Sequence, residues 1–351
     1  MRPRRDMMIN HAVLQWIWDR YCQHGDVITA SAIDAPARSP YPAGSMMAFD
    51  RKGGVAGSVS PGCVEADLYA RVQQIFLDHR DGLSGMGCYT VHFEAGTEVR
   101  DVISPPHACG GTLMVAIHPV TPTHFPELPD LLAACAAGRP IYTELDLRNG
   151  CTTLASGQRP PAPGMFRTRY EAPKRLLAFG ISDIAVELAN LAPRLGYAVT
   201  VCDPRSTFLR PDRFPAEAEL VADWPDRYLR QQRAESLVAA DTAVVDLSHE
   251  ERFSIPLLLE ALDSRRWPNG DQPGYVGALG SRARCAQRRR ALREWGLPAA
   301  EEARLHAPIG LDLGGRLAPH IALSIAAELI AEAAGGSAMP LTARYATRTA
   351  R

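Results

Sequence analysis

From Lys174 onward the chain alternates short, continuous apolar runs with longer stretches of helical spacing. The runs Arg175 to Phe179, Ala198 to Cys202, Thr242 to Leu247 and Gly274 to Leu279 are too uniformly apolar for strands with one wet face. The stretches Ile184 to Leu195, Phe253 to Leu262, Arg282 to Trp295 and Pro319 to Ala334 have helical spacing. Strands buried on both faces and separated by helices require a parallel sheet, so this half is predicted to be a doubly wound α/β domain.

The first half has a different rhythm. Met8 to His24 places Val13, Trp16, Ile17 and Tyr21 on one helical face, and Val64 to Asp78 reads as a second helix. Val27 to Ile33 and Thr112 to His118 read as strands, and Leu128 to Ala137 as a short helix. Asp50-Arg51-Lys52-Gly53-Gly54 and Arg148-Asn149-Gly150 are turn signals between strand-like runs, which predicts two hairpins. A strand-rich mixed α/β domain over 1–165 is therefore expected. The Pro/Gly cluster Arg159 to Gly164 follows, with the second domain over 173–335 and a mobile tail over 336–351.

The turn after the first strand of the second domain carries chemistry. Leu176-Leu177-Ala178-Phe179-Gly180-Ile181-Ser182-Asp183-Ile184-Ala185 runs strand, glycine turn, helix, the context of a Rossmann dinucleotide fingerprint. Gly180 permits the sharp turn, and the helix N-terminus offers amides and a positive dipole to a phosphate. Ser182 replaces the second glycine and Asp183 adds a negative charge, so tight NAD(P) binding is not expected here. Asp203 ends the next strand 23 residues past Gly180, where an acid can take a ribose hydroxyl, and Arg205 can meet a phosphate.

Gly277-Ala278-Leu279-Gly280-Ser281-Arg282 forms a second strand-to-helix glycine loop. Gly277, Gly280, Ser281 and Arg282 either cradle an anion or form a plain tight turn. His249 follows a buried strand and His306 lies in a loop of turn residues. Each is either a ligand-facing group near the carboxyl ends of the strands or a hydrogen-bonded structural histidine.

The eight cysteines never approach closer than 16 positions, so no zinc knuckle is expected. Cys63 opens a helix, where the dipole and free amides favour a thiolate. Cys109, followed by Gly110, Gly111 and Thr112, leaves sulfur and amides open to a ligand. Both thiols also fit buried structural cysteines; together they fit a sulfur-handling site. Lys and Arg total 38 against 39 Asp and Glu, which leaves no electrostatic footprint for nucleic acid. Leu317 to Ala334 is interrupted by His320, Glu328 and Glu332 and is not a membrane span. No signal peptide is read, so a cytoplasmic protein is expected.

Six strings together resemble one family. They are Gly57-Ser58-Val59-Ser60-Pro61-Gly62-Cys63-Val64-Glu65, Cys109-Gly110-Gly111-Thr112, Val201-Cys202-Asp203-Pro204-Arg205, Phe214-Pro215, Tyr275 to Arg282, and His306-Ala307-Pro308-Ile309-Gly310-Leu311-Asp312. The chain resembles the xanthine dehydrogenase accessory factors, XdhC/CoxI, from about Val27 to Ala334. The resemblance implies an N-terminal XdhC/CoxI domain and a C-terminal Rossmann-like domain. It implies binding of molybdenum cofactor, help in sulfurating it, and insertion into a molybdenum hydroxylase such as xanthine or carbon monoxide dehydrogenase. It also implies a cysteine desulfurase partner and a homodimer. Cys63 and Cys109 match the family's cysteine motifs. The chain departs from the family with Pro61-Gly62-Cys63 in place of Gly-Gly-Cys and Gly180-Ile181-Ser182-Asp183 in place of Gly-Ala-Gly-His. An NAD(P)-dependent oxidoreductase with His249 as proton donor is the alternative reading.

Overall fold

The computed structural model describes residues 11–36, 39–93, 112–137, 139–157, 160–170 and 173–346. The chain divides into two units, Met1–Ala172 and Pro173–Arg351.

In chain order, the first unit holds α1 (His11–His24), β1 (Val27–Asp34), β2 (Met46–Asp50), β3 (Val55–Gly57), α2 (Glu65–Asp78), β4 (Tyr89–Phe93), β5 (Leu113–Val120), α3 (Leu128–Ala136), β6 (Ile141–Asp146), β7 (Thr152–Ala155) and β8 (Met165–Tyr170). Its larger sheet has the order β3-β2-β1-β5-β4, antiparallel throughout, and a smaller one has the order β7-β6-β8. Helix α2 buries Leu68, Val72 and Phe76 against Ile28, Ala30 and Phe49 on one face of the larger sheet. Helices α1 and α3 cover the other face through Val13, Leu14, Ile17, Leu128 and Leu131. That double cover explains why β1 is buried over most of its length although its neighbours are antiparallel.

Both predicted hairpins form, and their turns work as the residue types require. The Asp50 carboxylate accepts the amides of Lys52 (2.9 Å) and Gly54 (2.8 Å), while Gly53 takes a φ of +84° that favours glycine. Strands β4 and β8 carry no clear sequence signal. β4 is an edge strand with mostly exposed residues, and β8 alternates arginines directly after the Pro/Gly cluster, where a linker is expected.

The second unit holds β9 (Lys174–Phe179), α4 (Asp183–Leu191), β10 (Tyr197–Cys202), β11 (Glu219–Val221), α5 (Pro225–Ala234), β12 (Ala243–Asp246), α6 (Glu251–Leu262), β13 (Tyr275–Ala278), α7 (Arg282–Glu294), α8 (Ala299–Glu302), β14 (Leu305–His306), α9 (Ala318–Ala334) and α10 (Leu341–Ala346). The six strands are parallel in the order β11-β10-β9-β12-β13-β14. Numbered within this unit, that is 3-2-1-4-5-6, the doubly wound Rossmann order. Helices α4 and α9 bury Ala185, Leu188, Ile325 and Leu329 on one face, and α5, α6 and α7 bury Leu229, Leu258 and Leu292 on the other. The predicted helix over 184–195 is α-helical only to Leu191 and ends in a 3-10 turn over Ala192–Leu195 containing Pro193. His306 lies on the short strand β14 rather than in a loop. The described part of the predicted tail includes helix α10. Among the described residues no helix is long and apolar enough to cross a membrane.

Candidate functional site

In a doubly wound sheet, ligands bind outside the carboxyl ends of the strands where the strand order reverses. In this unit the reversal falls between β9 and β12, so the turns after Phe179 and Asp246 define the place. They touch: Gly180 has a φ of +103°, and a Cβ there would meet the Ser248 amide nitrogen at 2.8 Å. Glycine is therefore required at 180 both for its backbone angle and for the close approach of the neighbouring turn.

The fingerprint residues divide their labour. Ser182 is the N-cap of α4, and its side-chain oxygen accepts the Ala185 amide at 3.2 Å. Asp203 is buried at the end of β10. Its Oδ2 accepts the Ile181 amide at 3.0 Å, and its two oxygens take the Arg205 guanidinium at 2.9 and 2.8 Å. Burial raises the Asp203 carboxyl, but hydrogen bonds from Arg205 and Ile181 outweigh it and hold the group below its ordinary value. Arg205 also reaches Glu250 at 3.1 Å. Asp183 is largely exposed and pairs with Arg213 at 2.8 Å.

The loop after β13 is built in the same way. A Cβ on Gly277 would meet Ile309 Cδ1 at 2.4 Å, so glycine makes room for the strand's partner loop. Gly280 lies over Cys285, where a Cβ would meet the sulfur at 3.3 Å. Ser281 caps α7 by accepting the Arg284 amide, at 3.3 Å. Arg282, in the first turn, is exposed and makes no ion pair or hydrogen bond among the described residues. His249 is exposed, and its carbonyl accepts from Arg284 at 2.9 Å.

Beneath these loops sits a group the sequence did not announce. Arg288, buried on α7, donates to the Leu279 carbonyl at 3.1 Å and to the Ser248 carbonyl at 3.5 Å. It lies 3.7 Å from buried Asp246, which also accepts from Ser254 Oγ and the Ser248 amide. Burial pushes the Asp246 carboxyl above its ordinary value, against the pull of Arg288 and Ser254. One guanidinium thus ties the β12 and β13 turns together. A buried arginine in an arginine-rich helix carries no periodic signal that sets it apart from its exposed neighbours.

His306 is held by α9. Its Nδ1 lies 3.3 Å from Glu328, and its ring stacks on Tyr275 with centroids 4.5 Å apart. Glu328 also accepts from Tyr275 Oη at 2.6 Å and the Gly310 amide at 2.7 Å. The bond to Glu328 raises the His306 imidazole above its ordinary value. The strings Tyr275 to Arg282 and His306 to Asp312, apart in sequence, thus form one cluster.

In the first unit Cys63 is half-buried just before α2. The amides around it are not free, contrary to the expectation from its place at a helix start. Ser60 Oγ accepts those of Cys63 (3.0 Å) and Gly62 (3.2 Å). The Glu65 carboxylate accepts the Ser60 and Val64 amides at 2.8 and 3.2 Å, the Ser60 hydroxyl at 2.6 Å, and the Ser58 hydroxyl. Glu65 therefore organises the turn that presents Cys63. Cys109, Gly110 and Gly111 lie outside the described residues.

A family profile described as the XdhC Rossmann domain matches residues 176–329, and one described as the XdhC and CoxI family matches residues 23–89. The chain belongs to the XdhC/CoxI family. It is 26% identical over 334 residues to a probable xanthine dehydrogenase subunit of Bacillus subtilis, covering 87% of this chain and 92% of that protein. It is 26% identical over 290 residues to the "Molybdenum cofactor insertion chaperone PaoD" of Escherichia coli, covering 82% and 77%. A crystal structure described as a xanthine dehydrogenase from Bacillus halodurans superposes with a TM-score of 0.73 over 93% of this chain and 96% of that one. At 22% identity that likeness speaks to the fold. The XdhC profile spans β9 into α9, and so contains Gly180, Asp203, Arg288 and the His306–Glu328 cluster. The XdhC/CoxI profile contains Cys63 and its Glu65-held turn.

Proposed function

We propose that this protein binds molybdenum cofactor and assists its sulfuration and its insertion into a molybdenum hydroxylase of the xanthine or carbon monoxide dehydrogenase type. The observation that carries the reading is the similarity to the E. coli molybdenum cofactor insertion chaperone over most of both chains.

Groups of the second unit suit a phosphate, and a thiol of the first unit suits sulfur handling. The cofactor, when bound, supplies a metal held by sulfur at one end and a phosphate at the other. The first turns of α4 and α7 present amides at the carboxyl edge of the sheet, and Arg282 adds a cation not committed to any carboxylate among the described residues. These groups would hold the phosphate. Cys63, half-exposed in a turn fixed by Glu65, is a soft group suited to sulfur handling, and Cys109 is its proposed companion. The client hydroxylase and a cysteine desulfurase are the proposed partners, in the cytoplasm and with the protein as a homodimer.

Full-length protein purified from a host that makes molybdopterin should carry the pterin, read by the fluorescence of its oxidised form, and should activate an apo hydroxylase. Cys63→Ala should abolish activation while leaving the circular dichroism unchanged. Protein that carries no pterin and gives no activation would overturn the reading. Co-purified NAD(H) in its place would favour the oxidoreductase.

A further inference from the structure

The inward faces of the first unit's two sheets carry a cluster of buried polar side chains. Thr29 and Ser31 on β1, His118 on β5, Thr143 on β6, Thr152 on β7 and Thr168 on β8 line one cavity of about 40 Å³, with Tyr170 and apolar side chains of α1, α3 and neighbouring strand positions completing the lining. Inner positions of packed sheets are ordinarily apolar. These six polar side chains are all buried except for at most 7% of their surface.

Their hydrogen bonding is incomplete. His118 Nε2 and Ser31 Oγ lie 3.1 Å apart. Among the described residues no hydrogen-bond partner of good geometry reaches buried His118 Nδ1 or Thr152 Oγ1, although a poorly aligned contact with the Pro119 backbone also acts on the His118 ring. An unmade hydrogen bond at a buried polar group is costly, so two residues with such atoms, both lining one cavity, invite a species that bonds to them. Size and charge restrict that species. The cavity has room for about three water-sized units by the usual 10–15 Å³ each. Among the described residues no Lys, Arg, Asp or Glu lines it, and burial holds the imidazole uncharged, its pKa driven down to about 4. An ionic ligand would lie there without a counter-charge.

We propose that this cavity is a binding site for a small neutral molecule of about three heavy atoms that carries both a hydrogen-bond donor and an acceptor and bridges His118 and Thr152. Primary amides of the size of formamide have this chemistry. Formate, with the same number of heavy atoms and a negative charge, does not.

The test uses the full chain with ¹⁵N-labelled histidine. Formamide should shift the His118 ring resonances saturably, with a Kd of about 1–10 mM, the reach of a three-heavy-atom ligand. Thr152→Val, nearly the same in shape, should weaken that binding several-fold. Formate at the same concentrations should leave the resonances in place. If Thr152→Val does not fold, the formamide and formate arms on the unaltered protein decide the matter. The proposal is overturned if formamide moves nothing at about 100 mM, a concentration well above that Kd range. It is also overturned if formate binds as well as formamide, or if crystals soaked in formamide show only water against His118 and Thr152.

Discussion

Asp203, at the end of β10, accepts the amide of Ile181, in the turn after β9, at 3.0 Å. The acid that sequence logic offers to a ribose braces the glycine turn, and Arg205 takes the other hydrogen-bond positions of its oxygens. Two outcomes follow. Asp203→Ala should destabilise the second unit by about 2–3 kcal/mol, since it strands hydrogen bonds to a buried charge; denaturant titration measures this, and a change near zero would refute the bracing role. Calorimetry with NAD and NADP should show no tight site in the unaltered protein, and micromolar binding would restore the dinucleotide reading.

Asp183 stands at the head of α4, where the helix dipole favours anions, yet its own charge is one. It is paired with Arg213. Asp183→Ala should remove the competing charge and release that arginine. Sulfate affinity, followed by thermal shift against concentration, should rise about 2–5-fold, the equivalent of about 0.3–1 kcal/mol at an exposed helix terminus. Unchanged or weaker binding would remove this helix end from the candidate anion site.

His118 gives the first unit a particular acid response. Burial lowers its pKa from 6.5 to about 4. A base whose folded pKa is depressed takes up its proton in the unfolded chain first, so its contribution is complete above pH 6.5 and is lost as pH falls towards about 4. Over that window the loss should approach about 3 kcal/mol. His118→Gln should be less stable at neutral pH but flatter between those limits when urea unfolding is followed at several pH values. An identical slope in both proteins would show that another group governs the response.

The sequence by itself determined the strands and helices whose burial is written in local periodicity. The apolar runs of β9, β10, β12 and β13 required a sheet covered on both sides, and the glycine turns at 53 and 150 required hairpins. It also placed Gly180 and Gly280 at strand-to-helix turns, because a glycine after an apolar run is a local signal. Only the tertiary structure decided what the polar residues do. The fold set Ile181 and Arg205 on Asp203, put His306 on β14 beside β13, and brought Glu328 to it from α9, 22 positions away. Edge strands β4 and β8 escaped notice because an edge buries too little to impose a pattern. The cavity at His118 escaped for a related reason: its Ser31 partner lies 87 positions away. Hydrophobic burial acts on every residue of a segment and so leaves a period in the sequence. A hydrogen bond joins two atoms that the fold alone brings together, and leaves none.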